Sequence, residues 1–89
     1  MNYTHDPKKQ AINVAQHGVW FSDAESFDWE QAIVTIDDRR AYSETRFIAT
    51  APIEDRLHVM AFCLRETAVR IISLRKANRR EVTKYENQN

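Results

Sequence analysis

The first thirty positions set apolar residues in short helix-like groups, whereas the following forty or so carry β-branched runs broken by polar turns. Asp6-Pro7 predicts a helix start, because Asp can cap free amides and Pro is tolerated at the first helical position. The segment runs through residues 8–17 to Gly18, a C-terminal stop. Ala11, Ile12 and Ala15 make a short apolar stripe on it. Val19, Trp20 and Phe21 read as a buried connector. Ser22-Asp23-Ala24-Glu25 fits the capping pattern S-x-x-E, which predicts a second short helix ending near Trp29 to Gln31.

Strand patterns take over after that. Residues 32–36 are β-branched and stop at Asp37-Asp38; residues 45–51 form a second run closed by Pro52. Residues 56–65 and 68–74 give a third and a fourth. Only short polar loops separate the last three, too short for the crossovers that parallel pairing needs, so an antiparallel meander is expected. The third and fourth runs are nearly continuous in apolar residues, which suggests that both their faces are covered. Residues 75–86 lack Gly and Pro and predict a terminal helix, with Ala77, Glu81 and Tyr85 on one side. The expected class is α+β: two N-terminal helices, a four-stranded, mainly antiparallel sheet and a C-terminal helix, in one domain over residues 1–89.

Hydrophobic residues at 43% and charged residues at 29% place the chain among globular rather than disordered sequences. No apolar run approaches the roughly 20 residues that span a bilayer. The first residues lack a basic stretch followed by an apolar core, so no signal peptide is expected. Cys63 is the only cysteine and lies in an apolar run, which excludes an internal disulfide and suits a reducing cytoplasm. Net charge is zero, but it is unevenly spread. Residues 1–64 hold six Lys/Arg and ten Asp/Glu, and residues 65–89 hold seven and three. The balance is therefore −4 followed by +4, and the basic end offers local attraction for phosphate. A solvated terminal helix accounts for the same charges.

Several blocks stand together in one order. They are Asp6-Pro7-x-Lys9, Asn13, His17-Gly18-Val19-x-Phe21 and Ala24; then Glu44-Thr45-Arg46-Phe47-Ile48-Ala49; then Arg70-Ile71-Ile72-Ser73-x-Arg75-Lys76-Ala77; then Arg79-Arg80-Glu81-x-x-x-Tyr85-Glu86. In content and spacing the chain resembles the BrnT-type ribonuclease toxins. The resemblance implies a RelE-like α+β fold and RNA cleavage that needs no metal or other cofactor. It also implies neutralisation by a BrnA-like ribbon-helix-helix antitoxin and contact with DNA only through that antitoxin; a dimer within the complex is one assembly compatible with it, and the sequence does not fix the number of chains.

Metal-free RNA cleavage means attack by the neighbouring 2′-hydroxyl on phosphorus. It needs a base for the 2′ proton, cations for the phosphorane oxygens and an acid for the leaving 5′-oxygen. Arg46 shares a strand face with Ile48 and Thr50, and is a candidate either for the phosphate or for a pair with Glu44. Arg70, enclosed by Val69, Ile71 and Ile72, must have a partner or face a cleft. Arg75, a catalytic candidate that would join Arg46 in stabilising the phosphorane, and Lys76, a candidate RNA contact, are expected at the junction of the last strand and the last helix, where a helix N-terminus would add free amides for an anion. Arg79, Arg80 and Tyr85 are candidate RNA contacts. Glu81 is a candidate base or an intrahelical ion-pair partner. Histidine titrates near neutrality and suits proton transfer; His17 is the one with a motif around it, although a capping role explains it too. Three scattered His and one Cys give no metal-ligand spacing. Trp20, Phe27 and Trp29 are candidates for an antitoxin surface, or simply for the core. The alternative function is a toxin-like binding module without catalysis, acting as antitoxin partner or co-repressor. Direct DNA binding by the basic terminal helix lacks a recognition-helix signature.

Overall fold

The computed structural model describes residues 1–88. Its elements are β1 (Tyr3–His5), α1 (Pro7–His17), 3₁₀ turns at Phe21–Ser26 and Trp29–Gln31, β2 (Ile33–Asp37), β3 (Arg46–Ile53), β4 (Arg56–Arg65), β5 (Ala68–Lys76) and α2 (Arg79–Gln88). The strands form one sheet in the order β1-β5-β4-β3-β2. Strands β2 to β5 pair antiparallel, β3 to β5 as their short loops predict, whereas β1 lies parallel to β5. No described helix is long and apolar enough to cross a membrane.

The α+β class holds, with differences in detail. The sheet has five strands rather than four. The extra one is three residues long, too short to show a period, and it is recruited by pairing Tyr3 with Val69 and His5 with Ile71. The second helix is a 3₁₀ turn that begins at Phe21, one residue before the expected cap, and Trp20 before it gives no side-chain cap bond. Pro52 does not close β3 but lies inside it, paired with Leu57, and Ile53 separates it from the two-residue turn at Glu54-Asp55. The terminal helix starts at Arg79, not Arg75. Strand β5 continues to Lys76 because Arg75 and Lys76 still pair with Val59 and His58, and the ladder outweighs their helix propensity. The cap is Asn78, whose Oδ1 accepts the Glu81 amide at 2.8 Å while its own amide donates to Glu81 Oε1 at 2.9 Å.

The start and end of α1 follow the local signals. Asp6 accepts the Lys8 amide at 2.9 Å, Pro7 opens the helix and Gly18 closes it at φ 69°. Its apolar stripe, however, does not face the core. Ala11, Ile12 and Ala15 are exposed, and the buried residue is Asn13. The Asn13 amide donates to Leu74 O at 2.8 Å and to Val19 O at 2.9 Å, and its Oδ1 accepts the Leu74 amide at 3.1 Å. One side chain thereby substitutes for a strand neighbour at the edge of β5 beyond the reach of β1. This places α1 along that edge.

One face of the sheet packs Ala49, Ala51, Met60, Phe62, Val69, Ile71 and Leu74 against Val19, Phe21, Ala24 and Phe27. Trp29 packs on this core and donates to the Tyr3 hydroxyl at 2.7 Å. Phe27 and Trp29 are thus core residues, while Trp20 is 55% exposed. The opposite face is only partly covered. Helix α2 crosses part of it, leaving a cavity of about 210 Å³ lined by Ile33, Ile48, Thr50, Val59, Glu81 and Tyr85.

Candidate functional site

The register fixes which arginines share the open face. Thr50 pairs with Val59, and Val59 with Arg75, so these three project to one side. Arg46 lies four residues before Thr50 on β3 and projects to the same side. Arg70 pairs with Cys63, four residues after Val59 on β4. Arg70 and Arg75 are five residues apart, and strict alternation would put them on opposite faces. A bulge prevents this: Ala61 pairs with Ser73 but Phe62 pairs with Ile71, so Ile72 is the extra residue. Arg46, Arg70 and Arg75 therefore project from one face.

Their surroundings differ. Arg46 and Arg70 line a pocket of about 100 Å³ with Lys9, Tyr42, Glu44, Cys63 and Arg65. Glu44 pairs with Arg65 rather than with Arg46. Its carboxyl lies below the ordinary range because of the Arg65 hydrogen bond, with a smaller contribution from the Arg70 charge. Arg46, Arg70 and Lys9 join no ion pair among the described residues, so four cations face one carboxylate. Burial pushes the Cys63 thiol up, and so keeps it a thiol.

Arg75 is held in another way. Its two terminal nitrogens donate to the Glu81 carboxylate at 2.7 and 2.8 Å. The same bonds hold the Glu81 carboxyl below its usual range. Arg75 and Lys76 do not lie at the N-terminal amides of a helix, as the sequence suggests, because both belong to β5. Lys76, Arg79 and Arg80 are exposed, away from the small pocket. The Tyr85 hydroxyl donates to Gln31 O at 2.6 Å and ties α2 to the second 3₁₀ turn. His17 is exposed at the end of α1 and lines a neighbouring cavity of about 140 Å³, which shares Lys9 and Ile72 with the arginine pocket. No group of three His, Cys, Asp or Glu side chains among the described residues is placed to hold a metal ion.

Sequence patterns pass over the wall of the pocket. The Asp37 side chain, 1% exposed, accepts Arg39 Nε at 2.7 Å, Arg39 Nη2 at 2.9 Å and the Tyr42 hydroxyl at 3.1 Å. The Arg39 guanidinium holds its carboxyl far below the carboxylate range. Tyr42 in turn lies under Arg46, whose guanidinium carbon is 4.0 Å from the ring centroid. Asp37 reads as a turn residue and Tyr42 falls in an irregular loop, so neither carries a periodic signal. Lys9 and Glu44 do lie in the motif blocks, which was the available clue.

Residues 5–81 match the family described as "Ribonuclease toxin, BrnT, of type II toxin-antitoxin system". No curated protein matches the chain.

Proposed function

The chain belongs to the BrnT family of ribonuclease toxins of type II toxin–antitoxin systems, and we propose that it cuts RNA, without a metal ion, in the pocket bounded by Arg46 and Arg70. The observation that carries this reading is the pocket's charge. Arg46 and Arg70 reach it from strands on either side of β4 and Lys9 reaches it from α1, none of them in an ion pair among the described residues. Such a set suits the extra negative charge of a phosphorane, and arginine forks match two phosphate oxygens.

In the proposed reaction the 2′-hydroxyl oxygen bonds to phosphorus and the bond to the 5′-oxygen breaks, leaving a 2′,3′-cyclic phosphate and a 5′-hydroxyl. Glu44 takes the 2′ proton: both it and Glu81 are paired with arginines, but Glu44 is the carboxylate that lines the pocket with Arg46 and Arg70, and Glu81 is not. His17 supplies a proton to the leaving oxygen from the adjoining cavity. Arg75, positioned by Glu81, and the exposed Lys76, Arg79 and Arg80 extend a positive track for the strand, with Tyr85 docking α2 beside it. Cleavage of RNA inhibits translation, and a ribbon-helix-helix antitoxin of the BrnA kind neutralises the protein.

The test is incubation of the purified chain with RNA in EDTA, beside Glu44→Gln and Arg70→Ala. Cleavage to cyclic-phosphate ends by the wild type, lost in both variants, supports the proposal. One observation favours a second reading. Glu44 and Glu81 are both committed to arginines, as in a binding module without a base. Intact RNA, and harmless expression of the folded chain without antitoxin, would decide for that reading.

A further inference from the structure

Two cavities beside the loop between β2 and β3 share one wall. The arginine pocket, of about 100 Å³, and a wider cavity of about 380 Å³ are both lined by Tyr42, Ser43, Glu44 and Arg46. The wider one falls within the roughly 300–1,000 Å³ of small-ligand sites, and the narrower one is below it. A nucleotide has the same two parts, a compact anion joined to a larger planar body.

The wall is built rather than incidental. Asp37, buried at the end of β2, fixes the Tyr42 ring through its hydroxyl, and the Arg46 guanidinium lies against that ring. An anchored ring backed by a planar cation has little freedom left to lose when another flat group stacks on it. Unpaired bases of single-stranded RNA are recognised by aromatic rings and arginine planes of this kind. Paired bases inside a duplex cannot reach such a surface.

We infer that Tyr42 and Arg46 form a nucleobase subsite, which takes the unpaired base flanking the phosphate held at Arg46 and Arg70. This rests on the RNA-cleaving reading above and adds the substrate class: single-stranded RNA, gripped through one base beside the cut.

The experiment measures binding of a single-stranded RNA oligonucleotide, 2′-O-methylated throughout to prevent cutting, together with versions that carry one abasic position scanned along it. The wild type is expected to lose about 5- to 100-fold in affinity when the abasic position falls at the subsite. Tyr42→Ala should lose as much on the intact strand and little more on the abasic one. Tyr42→Trp should keep the discrimination. Tyr42→Leu, which retains bulk without a π-face, replaces the alanine variant if circular dichroism shows that variant unfolded. A folded Ala or Leu variant that distinguishes intact from abasic RNA as well as the wild type overturns the subsite. Wild-type cleavage of unmodified RNA, assayed alongside, separates the two failures: its absence sinks the ribonuclease reading, whereas its presence with unchanged Tyr42 variants sinks only this one.

Discussion

Arg70 and Arg75 point to the same side of the sheet although five residues separate them, because the bulge at Ile72 resets the alternation of β5 between them. They share a face but not a state: Arg70 lines the pocket with Arg46, while Arg75 is locked to Glu81. The two substitutions should therefore separate. Arg70→Ala and Arg46→Ala are expected to lower single-turnover RNA cleavage by about 100-fold, the order seen when one preorganised charge-stabilising donor is removed, with little change in thermal midpoint. Arg75→Ala is expected to lower the midpoint as well as the rate.

Stability at low pH should report the Glu81 contact. Arg75 holds the Glu81 carboxyl below its ordinary range, so folding favours the ionised form. That contribution is complete above the unfolded value, at about pH 5 and higher, and fades as pH falls through the lower folded value. Denaturant midpoints measured downward from pH 5 should fall, and the Glu81→Gln fall should be shallower. At pH 7 Glu81→Ala also removes the reciprocal cap with Asn78, at a cost of about 1 kcal/mol.

Asn13 gives a sharper stability test. The residue is 3% exposed, and its side-chain amide satisfies Leu74 N–H, Leu74 C=O and Val19 C=O. Alanine leaves all three backbone groups unpaired in the interior, and about 3 kcal/mol of unfolding free energy should be lost. Aspartate should cost more, since its second oxygen would face two carbonyl oxygens in place of a donor. An Asn13→Ala variant with a wild-type midpoint would show that α1 is not fastened here.

These residues also explain what sequence could and could not reveal. The start and stop of α1 depend on Asp6, Pro7 and Gly18 alone, so they were legible, as were the runs of β3 and β4. The docking of α1 was not, because its buried residue is polar and its apolar ones face out. Strand β1 and the extension of β5 to Lys76 exist through pairing with distant strands, which no local pattern encodes. The bulge at Ile72 has no signature, yet it decides which arginines share a face. Arg70 was readable as a residue needing a cleft. Its neighbours Tyr42 and Lys9 come from a loop and a helix that only the folded chain brings together.

The turn between β3 and β4 carries strain that a single change should relieve. Glu54 has φ 56°, unusual for a side-chain-bearing residue, at the first position of a two-residue hairpin loop where glycine is favoured. The left-handed conformation costs about 1 kcal/mol for a residue with Cβ, and the extra freedom of glycine in the unfolded chain returns part of that. Glu54→Gly is expected to raise the thermal midpoint by one or two degrees at most. A clear drop would mean that the Glu54 side chain makes a stabilising interaction in solution.

Arg79 and Arg80 test how far the RNA path extends. Both are exposed on α2, and neither lines the arginine pocket. If they meet phosphates of the strand beyond the cut, their contribution is to affinity and to its salt dependence rather than to the chemical step. Each phosphate contact on a single strand adds about 0.7 to the slope of log affinity against log salt. The double variant Arg79→Ala/Arg80→Ala should therefore flatten that slope by about 1.4 and weaken binding similarly for every sequence, while cleavage at saturating RNA stays near the wild-type rate. An unchanged slope would confine the RNA path to the sheet face, and a collapsed saturating rate would place α2 in the chemistry itself.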